Sequence, residues 1–259
     1  MLKVSCGQFL RLEEALAARV RDSAPGTPLA IVTPSRKLAD RLQRLLCLER
    51  GMTLLNVQFH TFYSLSLEAA QGAGPLPGAL VSEGLFHDKL IDRLLARRSS
   101  RGLAGAYRAT IRDLVDAGVD PASFRENFPD LLPDEGDRKR LEFLLELQER
   151  YLQALEAAGI LSGPGLARLA TAAVQNGTAA SLSRYREFLY YGFYDLTGTQ
   201  ADFFTAVAEA YDVHAFVPYQ PRHPAFSFAR RLYDQRHQQA GLQQTAHGGC
   251  SAARAAFLA

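Results

Sequence analysis

The residues best placed for chemistry follow an apolar run late in the chain. Residues 188–193 read Phe-Leu-Tyr-Tyr-Gly-Phe and predict a buried strand, after which come Asp195 and, five residues later, Gln200. A carboxylate at the end of such a strand is a common ligand of Mg²⁺ in nucleotide sites. Its neighbours Tyr191 and Gly192 supply no such chemistry, because a phenol is not an anionic ligand at neutral pH and glycine carries no base.

The start of the chain lacks the residues of a phosphate-binding loop. Such a loop reads G-x-x-x-x-G-K-[ST], because its backbone amides hold the phosphates and its lysine neutralises their charge. Residues 5–11 read Ser-Cys-Gly-Gln-Phe-Leu-Arg, with one glycine and neither the lysine nor its Ser/Thr neighbour. Lys3 and Arg11 lie at spacings that do not replace that lysine. We therefore expect no phosphate-transfer chemistry at this end of the chain.

Two further turns carry residue types suited to nucleic acid phosphates. Residues 33–39 read Thr-Pro-Ser-Arg-Lys-Leu-Ala and place hydroxyls and cations at the start of a helix, where free N–H groups favour anions. Residues 58–62 read Gln-Phe-His-Thr-Phe. The alternative to nucleic acid contact at residues 33–39 is an ordinary capped helix with solvated charges. At residues 58–62 the alternatives are a structural histidine at His60 and a core aromatic at Phe62.

Residues 215–259 interleave aromatic and basic side chains. Such a mixture can hold a single strand by pairing cations with phosphates and stacking rings on bases. The residues concerned are Tyr219, Phe226, Phe228 and Tyr233, with Arg222, Arg230, Arg231, Arg236 and Arg254.

Apolar periodicity places these residues on alternating strands and helices. Residues 2–6, 29–32 and 54–59 predict strands, and helices are expected over 9–21 and after Ser35. A continuous apolar run such as 29–32 is typical of a parallel strand that is buried on both faces. The predicted buried face of the first helix consists of Leu10, Leu12, Leu16 and Val20.

The middle of the chain is predicted to be almost wholly helical, and strands return only at 188–193 and 213–218. We therefore predict an α/β fold in which a mostly parallel sheet, flanked by helices, is interrupted by an all-helical insertion. The sheet domain would comprise residues 1–71 and 186–259, and the inserted subdomain residues 72–185. Helices of the insertion are expected at 81–97, 103–117, 137–158 and 164–175.

The order of these pieces resembles the N-terminal region of UvrD-like superfamily 1 helicases, and more closely the helicase-like part of the AddB-type subunit of ATP-dependent helicase/deoxyribonucleases. The resemblance spans nearly the whole chain and implies a RecA-like, P-loop-type sheet. Asp195 and Gln200 match the last Asp and the Gln of the family pattern D-E-F-Q-D-T-x-x-x-Q. Tyr191 and Gly192 stand where the family places its metal-binding Asp and water-activating Glu. The degenerate nucleotide site would comprise Gly7, Gln8, Tyr191, Gly192, Asp195 and Gln200.

The resemblance also implies a function. The subunit would bind and guide single-stranded DNA during repair of double-strand breaks by recombination, while a partner helicase-nuclease subunit uses ATP and Mg²⁺. This chain itself would hold no cofactor or metal and would have neither ATPase nor nuclease activity. Relatives carry a PD-(D/E)XK nuclease domain far downstream, so we expect the chain to be the N-terminal part of a longer protein. The implied DNA contacts are Thr33, Ser35, Arg36, Lys37, His60, Thr61 and Phe62.

Composition is that of an ordinary globular protein. The net charge is +2 and 47% of the residues are hydrophobic, so any nucleic acid surface must be local. No apolar run approaches the roughly 20 residues that span a bilayer, and the N-terminus has no signal-peptide pattern. Cys6, Cys47 and Cys250 form no metal or redox motif and are expected to be free thiols. A cytoplasmic protein without a membrane partner is therefore predicted.

Two rival functions remain open at this point. One is a nucleotide hydrolase with an atypical phosphate loop, which would need Lys3 or Arg11, together with Asp195, as substitutes. The other is a structural scaffold that docks the partner helicase and makes no DNA contact of its own. Binding of Mg²⁺-nucleotide would distinguish the first, and salt-insensitive, weak DNA binding would distinguish the second.

Overall fold

The computed structural model describes residues 1–23, 26–80, 84–95, 101–126, 134–220, 223–230, 232, 234 and 244–247. The strands of this part of the chain are β1 (Leu2–Gly7), β2 (Leu29–Thr33), β3 (Val57–Thr61), β4 (Ala79–Leu80), β5 (Ile160–Leu161), β6 (Glu187–Tyr191), β7 (Val213–Val217) and β8 (Gln244–His247). Its α-helices are α1 (Phe9–Asp22), α2 (Arg36–Arg44), α3 (Phe62–Ala73), α4 (Gly84–Leu95), α5 (Arg101–Asp116), α6 (Pro121–Glu126), α7 (Glu135–Ala157), α8 (Gly163–Gln175) and α9 (Gly198–Ala210).

Six of the strands form one parallel sheet in the order β3-β2-β6-β7-β1-β8. In its register, Leu29 of β2 lies between Val57 of β3 and Glu187 of β6. All residues of β2 and β6 are buried, as expected for central strands that are covered on both faces. The sequence prediction of a mostly parallel α/β sheet is confirmed.

Helices cover both faces of this sheet. On one face, α1 and α2 pack against side chains that include Ile31, Leu189 and Phe216. On the other face, α3 and α9 pack against side chains that include Phe188 and Val213. Neighbouring residues of a strand point to opposite faces, which is why Phe188 and Leu189 belong to different cores.

The strand order separates β1 from β6 by β7 alone. Strand β1 leads into a helix on one face, and β6 leads into a helix on the opposite face. In open parallel sheets, ligands bind in the crevice at the carboxyl ends of strands whose connections diverge in this way. This flanked parallel sheet is consistent with the RecA-like fold that the sequence predicts.

The chain divides into two compact units. The first contains residues 1–73, 170–196 and 203–259 and includes the parallel sheet. The second contains residues 74–169 and 197–202 and is mainly helical, with the short parallel pair β4 and β5. Its core is built from α4, α5 and α7 and includes Ile91, Ile111 and Tyr151.

Several element predictions need correction. Strand β3 begins at Val57 and not at residue 54, because its pairing with β2 starts there and Leu55 is exposed to solvent. Leu10 is 61% exposed, because it lies about 90° around the helix from the centre of the buried stripe of α1, at the edge of that stripe. The sequence prediction that strands return at only two places was wrong, since β5 and β8 also form; β4 and α6 were not predicted either.

Candidate functional site

The carboxyl ends of the parallel strands bring the sequence-predicted residues to one edge of the sheet. Gly7 ends β1, Thr33 ends β2, Thr61 ends β3 and Tyr191 ends β6. All these strands run in the same direction, so the connections that follow them leave from the same edge. We call this the carboxyl edge.

The turn between β2 and α2 presents two cations at this edge. Thr33 is fully buried, and its hydroxyl donates to the carbonyls of Ser35 (3.0 Å) and His60 (3.3 Å). Ser35 Oγ accepts from the Leu38 amide at 3.3 Å and caps α2, as the sequence predicts. The side chains of Ser35, Arg36 and Lys37 are exposed, and we call these three residues the basic turn.

His60 lies inside the fold beneath this edge. Its Nε2 is 3.0 Å from the Tyr185 hydroxyl and 3.7 Å from Glu68 Oε2. Burial, together with the smaller effect of the nearby Arg184 charge, lowers the pKa of His60 to about 4. The imidazole is therefore neutral near pH 7 and has the position of a structural histidine.

Thr61 and Phe62 hold the start of α3. The Thr61 amide donates to Ser64 Oγ at 2.9 Å, and the Ser64 amide donates to Thr61 Oγ1 at 3.2 Å, a reciprocal cap. Phe62 is buried and packs edge-on against Phe193 at a centroid distance of 5.0 Å. Among the sequence-predicted DNA contacts, the basic turn is exposed, whereas Thr33, His60 and Phe62 are buried.

The connection after β1 is too short to wrap a phosphate. Strand β1 ends at Gly7 and α1 begins at Phe9, so that Gln8 alone joins them. A phosphate loop needs several residues with free amides between strand and helix. Gln8 Nε2 instead donates to Gln220 Oε1 at 3.4 Å, which links the ends of β1 and β7.

The end of β6 is filled by apolar packing. Tyr191 is 1% exposed, and its hydroxyl donates to the Phe9 carbonyl at 3.4 Å. Burial raises the pKa of Tyr191, and the nearby Glu13 charge raises it further, so the phenol stays protonated. Gly192 has a φ of +81° and lies against Leu38. Neither residue can bind a metal ion in this state.

Asp195 and Gln200 are engaged in local turns. Asp195 Oδ1 accepts from the Leu196 amide at 2.9 Å. Gln200 Oε1 accepts from the Thr197 amide at 3.2 Å, at the start of α9. Across the part of the chain that the structure describes, no group of three or more His, Cys, Asp or Glu residues could hold a metal ion. The side chains of Asp195 and Gln200 therefore serve as local acceptors for backbone amides.

Four aromatic rings form a continuous row in the connections that follow β6 and β7. Tyr194 packs edge-on against Phe228 at 5.4 Å, Phe228 lies 6.3 Å from Phe226, and Phe226 lies 5.2 Å from His223. Tyr194 is 53% exposed and Phe228 is 48% exposed. We call Tyr194, Phe228, Phe226 and His223 the aromatic row. The exposed rings of Tyr194 and Phe228 are available for stacking at the carboxyl edge.

Sequence reasoning found only part of this row. Phe226 and Phe228 were predicted as candidates because they lie in a stretch that contains several arginines, whereas Tyr194 and His223 were not predicted. The signal for Tyr194 was its position directly after a strand, where a large ring has no sheet partner to cover it. Arg230 is exposed near the row and pairs with Asp234 at 3.5 Å. Outside the described residues lie Arg222, Arg231, Tyr233, Arg236 and Arg254.

Cys6 and Cys47 are free thiols, as predicted, and Cys250 lies outside the described residues. Comparison of the chain with protein-family models and with curated proteins finds no match. Within the described ranges, no helix combines the length and the apolar character that crossing a membrane requires. The geometry of the carboxyl edge therefore carries the functional argument.

Proposed function

We propose that this chain is a non-catalytic, helicase-like region that binds and guides single-stranded DNA. The observation that carries the proposal is the coexistence, at one sheet edge, of the exposed aromatic row and the exposed basic turn. Bases stack on aromatic rings at roughly 1 to 3 kcal/mol each, and cations pair with the phosphates between them. A single strand exposes both its bases and its phosphates to such a surface.

The same proposal leaves ATP hydrolysis to a partner. The single-residue connection at Gln8 is too short to form a phosphate-binding loop, and Tyr191 occupies the end of β6 with a protonated phenol. Hydrolysis needs a cation and a metal ion to neutralise the charge on the transferred phosphoryl group. We therefore propose that this chain lacks ATPase and nuclease activity and works beside a helicase-nuclease subunit in the cytoplasm, in repair of double-strand breaks by recombination.

The test is fluorescence anisotropy of a labelled single-stranded oligonucleotide titrated with the protein over a salt series. The variant is Arg36→Ala with Lys37→Ala. The matched control is Lys139→Ala with Arg140→Ala, which removes an equally exposed basic pair from α7. We expect the first variant to weaken binding at low salt and to reduce its salt dependence, because log K falls by about 0.7 per neutralised phosphate for each unit of log salt.

The control pair should bind like the wild type. Equal weakening in both variants would mean that binding reflects general positive charge and not the carboxyl edge. No binding at low salt would overturn the proposal in favour of the structural scaffold that docks a partner helicase.

A further inference from the structure

A buried ion pair joins α1 to α2 beneath the carboxyl edge. Arg41 Nη2 lies 2.5 Å from Glu13 Oε1. The Glu13 side chain is 3% exposed, whereas that of Arg41 is 57% exposed and reaches down from the surface. A carboxylate that is buried so completely needs its partner, because an unpaired buried charge is strongly unfavourable. The pair therefore constrains the distance and orientation of the two helices.

We call the contact of α1 with α2 at Glu13 and Arg41 the junction. The end of β6 reinforces it. The Tyr191 hydroxyl donates to the Phe9 carbonyl at the start of α1, and it lies within the field of both Glu13 and Arg41. Next to it, Gly192 lets Leu38 of α2 approach the backbone closely, since a Cβ at Gly192 would be 2.6 Å from Leu38 Cδ2. Helices α1 and α2 are thus both held against the end of β6.

The junction lies one helical turn below the basic turn. Lys37 precedes Arg41 by four residues on α2, so the two side chains lie on the same face of the helix. Fixing Arg41 therefore fixes the rotation of α2 about its axis, which decides where Lys37 points.

We propose that the Glu13–Arg41 pair positions the basic turn for nucleic acid phosphates. The inference rests on the proposed function, because it assigns a role to the pair in single-strand binding. Glu13 and Arg41 are positioning residues: Glu13 acts through Arg41, and Arg41 acts through α2.

The chain supplies a matched control for a merely stabilising role. Glu187 is also buried, and its Oε2 lies 2.5 Å from Arg19 Nη2 near the other end of α1. This second pair ties α1 to β6, and neither of its residues belongs to α2. Removing either glutamate should lower the stability, because each removal leaves an arginine contact without its carboxylate. Only the removal of Glu13 should also affect the basic turn.

The sign of the effect separates positioning from charge. Glu13→Ala removes a negative charge near the basic turn, so electrostatics alone predicts DNA binding that is equal to or tighter than that of the wild type. Positioning predicts that Glu13→Ala binds DNA more weakly than the wild type, by about fivefold or more at low salt. Added to Arg36→Ala with Lys37→Ala, the same substitution should cause no further loss of DNA binding. Glu187→Ala should bind within about twofold of the wild type.

Hydrogen exchange of the DNA-free protein provides a readout that does not depend on the proposed function. Amides of residues 36–40 should exchange faster in Glu13→Ala and not in Glu187→Ala, at matched global stability. If Glu13→Ala fails to fold, Arg41→Lys replaces it, with Arg19→Lys as its control, since lysine keeps the charge and loses the guanidinium geometry.

The outcomes are distinguishable. If Arg36→Ala with Lys37→Ala does not weaken binding, the proposed function fails, and faster exchange at 36–40 in Glu13→Ala would still support the positioning. If that double variant weakens binding but Glu13→Ala and Glu187→Ala behave alike in both measurements, the positioning proposal is overturned and the proposed function stands.

Discussion

At Gly192 the backbone conformation and the packing demand the same residue. Its φ is +81°, a region that side chains other than glycine rarely adopt, and an added Cβ would overlap Leu38. Gly177 has a similar φ of +69° but open space around the Cβ position. The two glycines therefore separate the cost of the backbone conformation from the cost of steric overlap.

We expect Gly192→Ala to destabilise the protein by about 2 to 4 kcal/mol, because strain at positive φ and overpacking against Leu38 add together. Gly177→Ala should cost only about 1 kcal/mol from the backbone term. Urea unfolding followed by circular dichroism measures both. Equal losses in the two variants would contradict the close packing of α2 on the end of β6.

His60 gives a second prediction, on pH dependence. Its pKa falls from about 6.5 in the unfolded chain to about 4 in the fold, so the unfolded state binds more protons between these values. The contribution of neutral His60 to the free energy of unfolding is therefore complete above about pH 6.5. It is lost as the pH falls toward 4, by up to roughly 3 kcal/mol. Burial raises the pKa of Glu68, which acts in the opposite direction over its own range.

His60→Gln isolates the histidine from Glu68, since it keeps a hydrogen-bonding group beside Tyr185 but does not titrate. The free energy of unfolding of the wild type should fall more steeply between pH 7 and pH 5 than that of the variant. Urea titrations of both proteins at the two pH values give this comparison. Parallel pH profiles would mean that the histidine is not buried as described.

At the scale of elements, the aromatic row depends on the connections after β6 and β7. Tyr194→Ala and Phe228→Ala should each weaken single-strand binding by about 5- to 100-fold, as expected when one stacked base is lost. Their salt dependence should stay that of the wild type, because no phosphate contact is removed. The measurement is the same anisotropy salt series that tests the basic turn.

Leu55→Ala is the matched control, because Leu55 is an exposed apolar side chain just before β3, at the amino edge of the sheet. It should bind DNA like the wild type. A reduced salt dependence in Tyr194→Ala or Phe228→Ala would show that the row acts by placing cations and not by stacking.

Elements with strong local signals could be predicted from the sequence. The apolar run at Leu29–Thr33 fixed a central strand, and Ser35 marked the start of α2, because burial on two faces and capping depend on adjacent residues. The start of β3 could not be placed, since Leu54 and Leu55 extend the apolar run although Leu55 is exposed. Only the pairing partner β2 settles where such a strand begins.

The site was less predictable than the fold. The exposed basic turn was predicted from hydroxyls and cations at a helix start, which is a local pattern. The Glu13–Arg41 pair and the contact of Tyr194 with Phe228 join residues 28 and 34 positions apart, and no spacing rule connects them. Such pairs follow from the strand order, which brings α1 beside α2 and the end of β6 beside that of β7.

At the scale of the whole molecule, the proposed function assigns nucleic acid binding and nucleotide chemistry to different parts of the carboxyl edge. The strand order places the ends of β1, β7 and β6 side by side, the arrangement that serves nucleotide binding in RecA-like proteins. Here that region is closed by Gln8, which hydrogen-bonds to Gln220, and by Tyr191, which hydrogen-bonds to the Phe9 carbonyl. The proposed single-strand binding would then use the exposed turns around it.

The last prediction follows from this closure. ATP with Mg²⁺ should not raise the melting temperature, because a ligand stabilises a protein only in so far as it binds the folded state. A single-stranded oligonucleotide at 100 times its Kd should stabilise the protein by about 2.7 kcal/mol, which provides the positive control in the same thermal scan. A shift with ATP and Mg²⁺ that disappears in Asp195→Asn would instead support a hydrolase with an atypical phosphate loop. In that case Lys3→Ala and Arg11→Ala would identify which cation replaces the missing lysine.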